Sequence, residues 1–290
     1  MGGSVEPACD HYRERTRSDY LGRQAGAVGE DVEVSSPVSK SEARALSKRL
    51  RESGSPDPSD LAKLGDLLVE RNGALGEVSD GLSSIGLSAT TRLKTSGTIV
   101  EKLKRQPTLD LLSIHDLAGA RIVQPMTLDQ QDQVATRILN HWPGARYIDR
   151  RGENNSHGYR AVHIVPRVDG HPVEIQIRTR YQDLWAQVME TFGDVWGREV
   201  RYGGLPTDPD TLIVSSNPVT RRDLVMAWIG YSPRLHAIAT VENELARVRA
   251  QPGAPQEQLD HLEQTIKSTS KPIIDLGEQL LQVFGRPTDG

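Results

Sequence analysis

The sequence predicts an α+β fold: a mixed β-sheet flanked by helices, followed by a C-terminal helical hairpin. Three observations carry this reading. Strand-like runs alternate with amphipathic helical runs between about residues 90 and 196. Two of the runs are joined by Asp169-Gly170, a dipeptide typical of tight turns between antiparallel neighbours. Two long helical segments, 221–251 and 255–284, are then separated only by Pro252-Gly253-Ala254-Pro255.

In chain order, residues 1–37 are rich in Gly, Ser, Glu and Arg without an apolar period, and are expected to be disordered because they can bury too little to offset chain entropy. A charged helix is predicted over 39–53, with Ala43, Leu46 and Leu50 inward. After the Ser-Pro-Asp-Pro turn a second helix is predicted over 59–72, with Leu61, Leu64, Leu67 and Leu68 on one face, and then a broken segment to about 85. Strands are predicted at 90–95, 118–123 and 146–150, and a hairpin at 159–168 and 172–179. Helices are predicted at 97–105, 127–141 and 181–196; the last two place Leu128, Val134, Ile138 and Leu139, and Leu184, Trp185, Val188 and Phe192, inward. Residues 205–217 read as a linker and 218–290 as a helical region. Its Leu224, Ile229, Leu235, Ile238, Leu245, Leu276, Leu280 and Leu281 suit either a cap within the chain or a homo-oligomer contact.

Composition narrows the classes. The 290 residues carry 35 Lys plus Arg against 39 Asp plus Glu, a net charge of -4, which argues against general coating of nucleic acid or anionic membrane. The single cysteine, Cys9, excludes a disulfide or a cysteine-built metal site within one chain. No apolar run approaches the roughly 20 residues of a membrane span, and the N-terminus lacks a secretory apolar core, so a cytoplasmic location is expected.

Candidate chemistry falls into four clusters. Period-two alternation in Val173-Glu174-Ile175-Gln176-Ile177-Arg178 places Glu174, Gln176 and Arg178 in one row, suited to metal, substrate and phosphate, or simply to a solvated outer face. In the preceding strand Tyr159, Ala161 and His163 share a face; Tyr159 beside a small residue offers a base-stacking platform, while His163 suits a structural role equally well. Arg92 and Lys94 precede Thr98 and Lys102, with Gly97 at a strand-to-helix turn that favours phosphate. Finally, Asp116 and Arg121 flank the start of an apolar strand. Asp116 either caps a turn or, with Glu174, holds a divalent cation, Mg²⁺ being typically bound by one or two carboxylates plus substrate phosphates.

In this order the clusters Arg92-x-Lys94-x-x-x-Thr98-x-x-x-Lys102, His115-Asp116-Leu117-x-Gly119-x-Arg121, Gly158-Tyr159-Arg160-Ala161-Val162-His163 and Glu174-Ile175-Gln176-Ile177-Arg178-Thr179, with Trp185-Ala186, resemble the synthetase domain of the RelA/SpoT family, including the small alarmone synthetases. The resemblance spans roughly residues 40–200. It implies a nucleotidyltransferase-like synthetase domain over 38–204 and a Mg²⁺-dependent transfer of pyrophosphate from ATP to the ribose 3′-hydroxyl of GDP or GTP, making ppGpp or pppGpp. Carried over by position, Asp116 and Glu174 are the implied catalytic and Mg²⁺ carboxylates, with Glu174 helping to deprotonate the hydroxyl. Arg92, Lys94, Lys102, Arg121 and Arg178 are the implied ATP-binding residues, the two arginines 92 and 121 around adenine. Tyr159, His163 and Gln176 are implied on the acceptor side. No cluster matches a hydrolase half, so synthesis alone is expected.

The sequence departs from the family at His157, where Asn is common, at Ala161, where a hydroxyl is usual, and after Trp185-Ala186, where Met189 and Glu190 replace a Glu-His pair. These surround the acceptor side. A toxin-type relative acting on the tRNA 3′ end or on an adenosine nucleotide, with an antitoxin partner, is therefore one alternative, for which Arg146, Arg150, Arg151, Arg160 and Arg167 offer a phosphate-binding patch. An inactive nucleotide-binding module is the other.

Overall fold

The computed structural model describes residues 38–152, 156–214 and 218–285. The expected 1–37 tail, with Cys9, lies outside the described residues.

Two helices open the fold, α1 (Lys40–Glu52) and α2 (Pro58–Ser84), each started by a side-chain cap, Ser39 with Glu42 and Asp57 onto Ser59 N–H. α2 is one helix where the sequence predicts a break near residue 72. Gly73, Gly76 and Gly81 lower helix propensity, but Ala74, Leu75, Val78 and Leu82 continue the buried stripe and tertiary packing prevails. Leu61, expected inward, is exposed, while Leu64 and Leu67 are buried.

The sheet is mixed, in the order β1-β2-β7-β4-β3. Its strands are β1 (Thr90–Leu93), β2 (Ala118–Gln124), β3 (Arg146–Asp149), β4 (Val162–Val165) and β7 (Glu174–Thr179). Only β2 and β7 run parallel; the other neighbours are antiparallel. Helix α3 (Ser96–Arg105) follows β1, α4 (Leu128–His141) follows β2, and α5 (Arg180–Trp196) grows directly out of β7 through the capping pair Thr179 and Gln182.

The predicted hairpin forms, with a difference. The strand expected at 159–168 is split: β4 pairs with β7 in the main sheet, while β5 (Arg167–Val168) and β6 (His171–Pro172) form a separate ribbon around Asp169-Gly170. Both turn residues have positive φ, 48° and 76°, the conformation a two-residue hairpin turn demands. Tyr159 and Arg160 lie ahead of β4, outside regular structure. Near the end of the stretch predicted as a linker, β8 (Leu212–Val214) pairs with β9 (Val219–Thr220), which lies just beyond it. The chain then enters α6 (Arg221–Arg249) and α7 (Gln256–Phe284).

Register fixes what each sheet face does, since paired residues point the same way. One face, with Ala120, Ile122, Ile164, Ile175 and Ile177, is buried against α2 and α4 in the main core. The other carries Arg92, Gly119, Arg121, Glu174, Gln176, Arg178 and His163, joined by the pairings Arg92↔Gly119, Gly119↔Glu174, Arg121↔Gln176 and His163↔Gln176. A second core unites α5, α6 and α7 around Trp185, Phe192, Trp228 and Leu280. Leu235, Ile238, Leu245 and Leu280 are thus buried within the chain, as an intramolecular cap requires.

Ile177 is fully buried in the central strand, whereas Val283 on α7 is 71% exposed. In denaturant melts Ile177→Ala is expected to cost about 2–5 kcal/mol and Val283→Ser less than about 0.5 kcal/mol; equal effects would contradict this assignment of the core.

Candidate active site

The polar row of β7 is covered, unlike the solvated outer face that its alternation equally allowed. The side chains of Glu174 and Arg178 are 13% and 2% exposed. Burial of charge is costly unless each group is paired, and the pairing here is continuous. Gln176 Nε2 donates to Glu174 Oε2 at 2.8 Å, and Arg178 Nη2 donates to Gln176 Oε1 at 2.9 Å. His163 Nδ1 lies 2.9 Å from Glu174 Oε1, an ion pair rather than an aligned hydrogen bond. The far nitrogen of the same ring, Nε2, is 2.8 Å from the Tyr159 hydroxyl, which also accepts from Arg178 Nη2 at 3.2 Å. Glu174, Gln176, Arg178, Tyr159 and His163 therefore form one closed ring of polar contacts.

Asp116 sits in the short 3-10 turn His115–Leu117 ahead of β2. Lys94, just past β1, donates from Nζ to Oδ2 at 2.5 Å, and Lys102, one face of α3 away, donates to Oδ1 at 2.7 Å. The two lysines that the sequence separates by a strand end and two helical turns meet on one carboxylate. Thr98 is spent locally, its hydroxyl donating to the Thr95 carbonyl at the start of α3.

Arg121 points from β2 toward α5. Its Nη2 donates to Glu190 Oε1 at 3.1 Å and its Nη1 lies 3.9 Å from Asp183 Oδ1. Arg178 shares both partners, Asp183 at 3.1 Å and Glu190 at 3.8 Å. Asp183 and Glu190 were not anticipated as site residues. Their spacing of seven puts them on one face of α5, and the only signal was that this helix follows Arg178 without a loop. Arg92 is exposed on the edge strand, across Gly119 from Glu174; with no side chain at 119, the sheet floor between them is open.

Asp116 and Glu174 are near enough to feel each other's charge. Burial opposes ionisation of Asp116, but Lys102 and Lys94 outweigh it and hold the carboxyl below its ordinary range. For Glu174 burial is likewise overcome by His163 and Gln176, leaving it far below the usual carboxylate value. His163 is pushed up to about 9, burial being outweighed by Tyr159 and Glu174. Two ionised carboxylates ringed by cations are hard oxygen donors of the kind Mg²⁺ takes beside a polyphosphate, so the donor set fits that ion, and among the described residues no third His, Cys, Asp or Glu completes an all-protein metal cage.

Two of the five arginines considered as a phosphate-binding patch are engaged within the protein, while Arg146 and Arg167 are exposed. Arg151 is paired with Asp132 and Asp149, and Arg160 is buried against Ser232 and the Gly152 carbonyl. Among the described residues no helix is long and apolar enough to cross a membrane.

Comparison with known proteins agrees with the resemblance. A family model described as a region found in RelA/SpoT proteins matches residues 91–192. The chain is 32% identical over 206 residues, 69% of its own length and 74% of theirs, to the uncharacterized proteins Rv1366 of Mycobacterium tuberculosis and Mb1401 of Mycobacterium bovis. It is similar to the crystal structure of Bacillus subtilis small alarmone synthetase 1 bound to its product pppGpp, with 21% identity, TM-score 0.44, and 64% and 99% of the two chains covered. A GTP pyrophosphokinase family protein of Streptococcus pneumoniae aligns with 18% identity, TM-score 0.46, and 69% and 96% covered. The chain belongs to the RelA/SpoT family.

The raised His163 has a thermodynamic consequence. A group whose value rises on folding from 6.5 to about 9 contributes stability that is complete below pH 6.5 and lost as pH climbs through about 9. The melting temperature should therefore fall between pH 7 and 9.5, more steeply than in His163→Gln; parallel slopes would show that the imidazolium is not stabilised by folding.

Proposed function

We propose that this chain transfers pyrophosphate from ATP to the ribose 3′-hydroxyl of GDP or GTP, releasing AMP and making ppGpp or pppGpp. What supports the reading is that Asp116, held by Lys94 and Lys102, is near enough to feel the charge of Glu174, whose polar strand row also carries Arg178 and faces Arg121.

In this reading Lys94, Lys102, Arg121 and Arg178 take the ATP phosphates and Arg92, with Arg121, flanks the adenine. Each of the first four is already paired with a carboxylate. A triphosphate thus enters by exchange, replacing Glu190 and loosening the lysines from Asp116. Asp116 and Glu174 would hold Mg²⁺, which when bound supplies neutralisation of the polyphosphate charge. Tyr159 offers its ring to the acceptor base, with Gln176 and His163 fixing the Glu174 carboxylate and the Tyr159 hydroxyl. The O3′–Pβ bond forms as the Pβ–O bond to AMP breaks, and the hydroxyl proton passes to Glu174. That carboxylate is a weak base, so its proton transfer belongs late, when the attacking oxygen has become acidic. The cations meanwhile meet charge that spreads over the transferring group.

A free nucleotide acceptor is preferred over tRNA because Arg151 and Arg160 are engaged inside the protein. Radiolabelled ATP offered with GDP, GTP, ATP or deacylated tRNA should give label on GDP or GTP; label on tRNA alone would overturn the acceptor assignment, and absence of AMP with every acceptor would overturn the enzyme. Glu174→Gln should lower turnover about 10²–10⁴-fold, and Tyr159→Ala should chiefly raise the acceptor KM, stacking contributing about 1–3 kcal/mol per base. Glu190→Gln should lower the KM for ATP several-fold, as the exchange at Arg121 no longer has to displace a charge; a raised KM would show that Glu190 orients the guanidinium instead.

A further inference from the structure

Ser232 lies on α6, outside the segment matched by the family model. It is buried, and its hydroxyl donates to the Gly158 carbonyl at 2.5 Å while accepting from Arg160 Nε at 3.1 Å. Those two residues flank Tyr159. A serine inside a helix ordinarily returns its hydroxyl to the carbonyl four residues back; this one is aimed out of the helix.

The backbone beside it is also broken. Pro233 stands inside α6 and has no N–H, so the ladder bond to the Ile229 carbonyl cannot form, a defect of about 3 kcal/mol in a helix interior. The defective turn is pressed onto the residue before Tyr159. A Cβ on Gly158 would fall 2.8 Å from Trp185 Cζ2, 3.1 Å from Ser232 Cβ and 3.4 Å from the Ile229 oxygen, and Gly158 has φ of 92°. The joint is clamped close by. Trp185 Nε1 donates to the Trp228 carbonyl at 3.0 Å, and Trp228 Nε1 to the Trp185 carbonyl at 3.1 Å. A local rule broken where two regions of the chain meet marks a position held for use rather than for helix stability.

We infer that Ser232 is a positioning residue for the acceptor: through Gly158 and Arg160 it fixes the segment that carries Tyr159, so that the C-terminal helices shape one half of the site. This rests on the proposal that Tyr159 stacks the acceptor base. Among the described residues α6 makes no hydrogen bond to the donor-side residues Lys94, Lys102 or Arg121, and Arg178 hydrogen-bonds to this segment only at the Tyr159 hydroxyl.

The test uses the full chain with Ser232→Ala and Ser232→Thr, assayed for transfer while GTP and ATP are varied separately, and followed by amide hydrogen exchange over residues 157–161. Ser232→Ala should raise the GTP KM about 5–20-fold, the scale expected when buried partners lose a shared hydrogen bond. It should leave the ATP KM within about twofold and speed exchange in 157–161 but not in β7; Ser232→Thr, which keeps the hydroxyl, should restore both. Unchanged exchange and unchanged KM values would overturn the inference. So would a parallel rise in both KM values with lowered global stability, the mark of a merely structural contact. If the wild type transfers to no acceptor, the functional reading fails on its own, and the exchange measurement still decides whether Ser232 holds the Tyr159 segment.

Discussion

The structure depends on keeping three polar side chains of the central strand, Glu174, Gln176 and Arg178, inside the protein and paired. A buried carboxylate and a buried guanidinium on one strand are costly unless opposite charges meet them from elsewhere. His163 comes from the antiparallel neighbour β4, and Asp183 and Glu190 from the helix that follows. Sheet register, the absence of a loop between β7 and α5, and the covering helices all serve this one requirement. The apolar face of the same strand, through Ile175 and Ile177, anchors the main core, so Glu174 stands on a strand held by that core.

Charge balance is the second theme. Lys94 and Lys102 share Asp116, Arg121 meets Glu190, Arg178 meets Asp183, and Glu174 meets His163. In the proposed reaction a protein of net charge -4 would hold a polyphosphate without a strongly basic surface. The cations are preorganised on carboxylates, and an incoming phosphate would take over partners that are already in place.

Much of this was legible in the sequence, for identifiable reasons. Period-two alternation in 173–178 and the Asp169-Gly170 turn gave strand, register and face, which brought His163 beside Gln176. The pairs Arg92/Lys94 and Thr98/Lys102 gave the edge strand and helix, although the Thr98 hydroxyl turns back onto the Thr95 carbonyl. What could not be read was long-range. Glu190 and Asp183 reveal themselves only once α5 is laid over Arg178, and no spacing rule places a carboxylate that acts across a strand–helix junction. The unbroken α2 was hidden by its glycines, whose local cost is overridden by burial of Val78 and Leu82. Ser232 was invisible for the same reason as Glu190: its partners lie on a loop more than seventy positions away.

The central claim is that residues 116 and 174 act together on one metal–polyphosphate complex. Calorimetric titration of a non-hydrolysable ATP analogue, with and without Mg²⁺, into the wild type and into an Asp116→Asn, Glu174→Gln double variant tests it most directly. Mg²⁺ should tighten binding to the wild type and lose that effect in the double variant. Equal Mg²⁺ dependence in both proteins would contradict it.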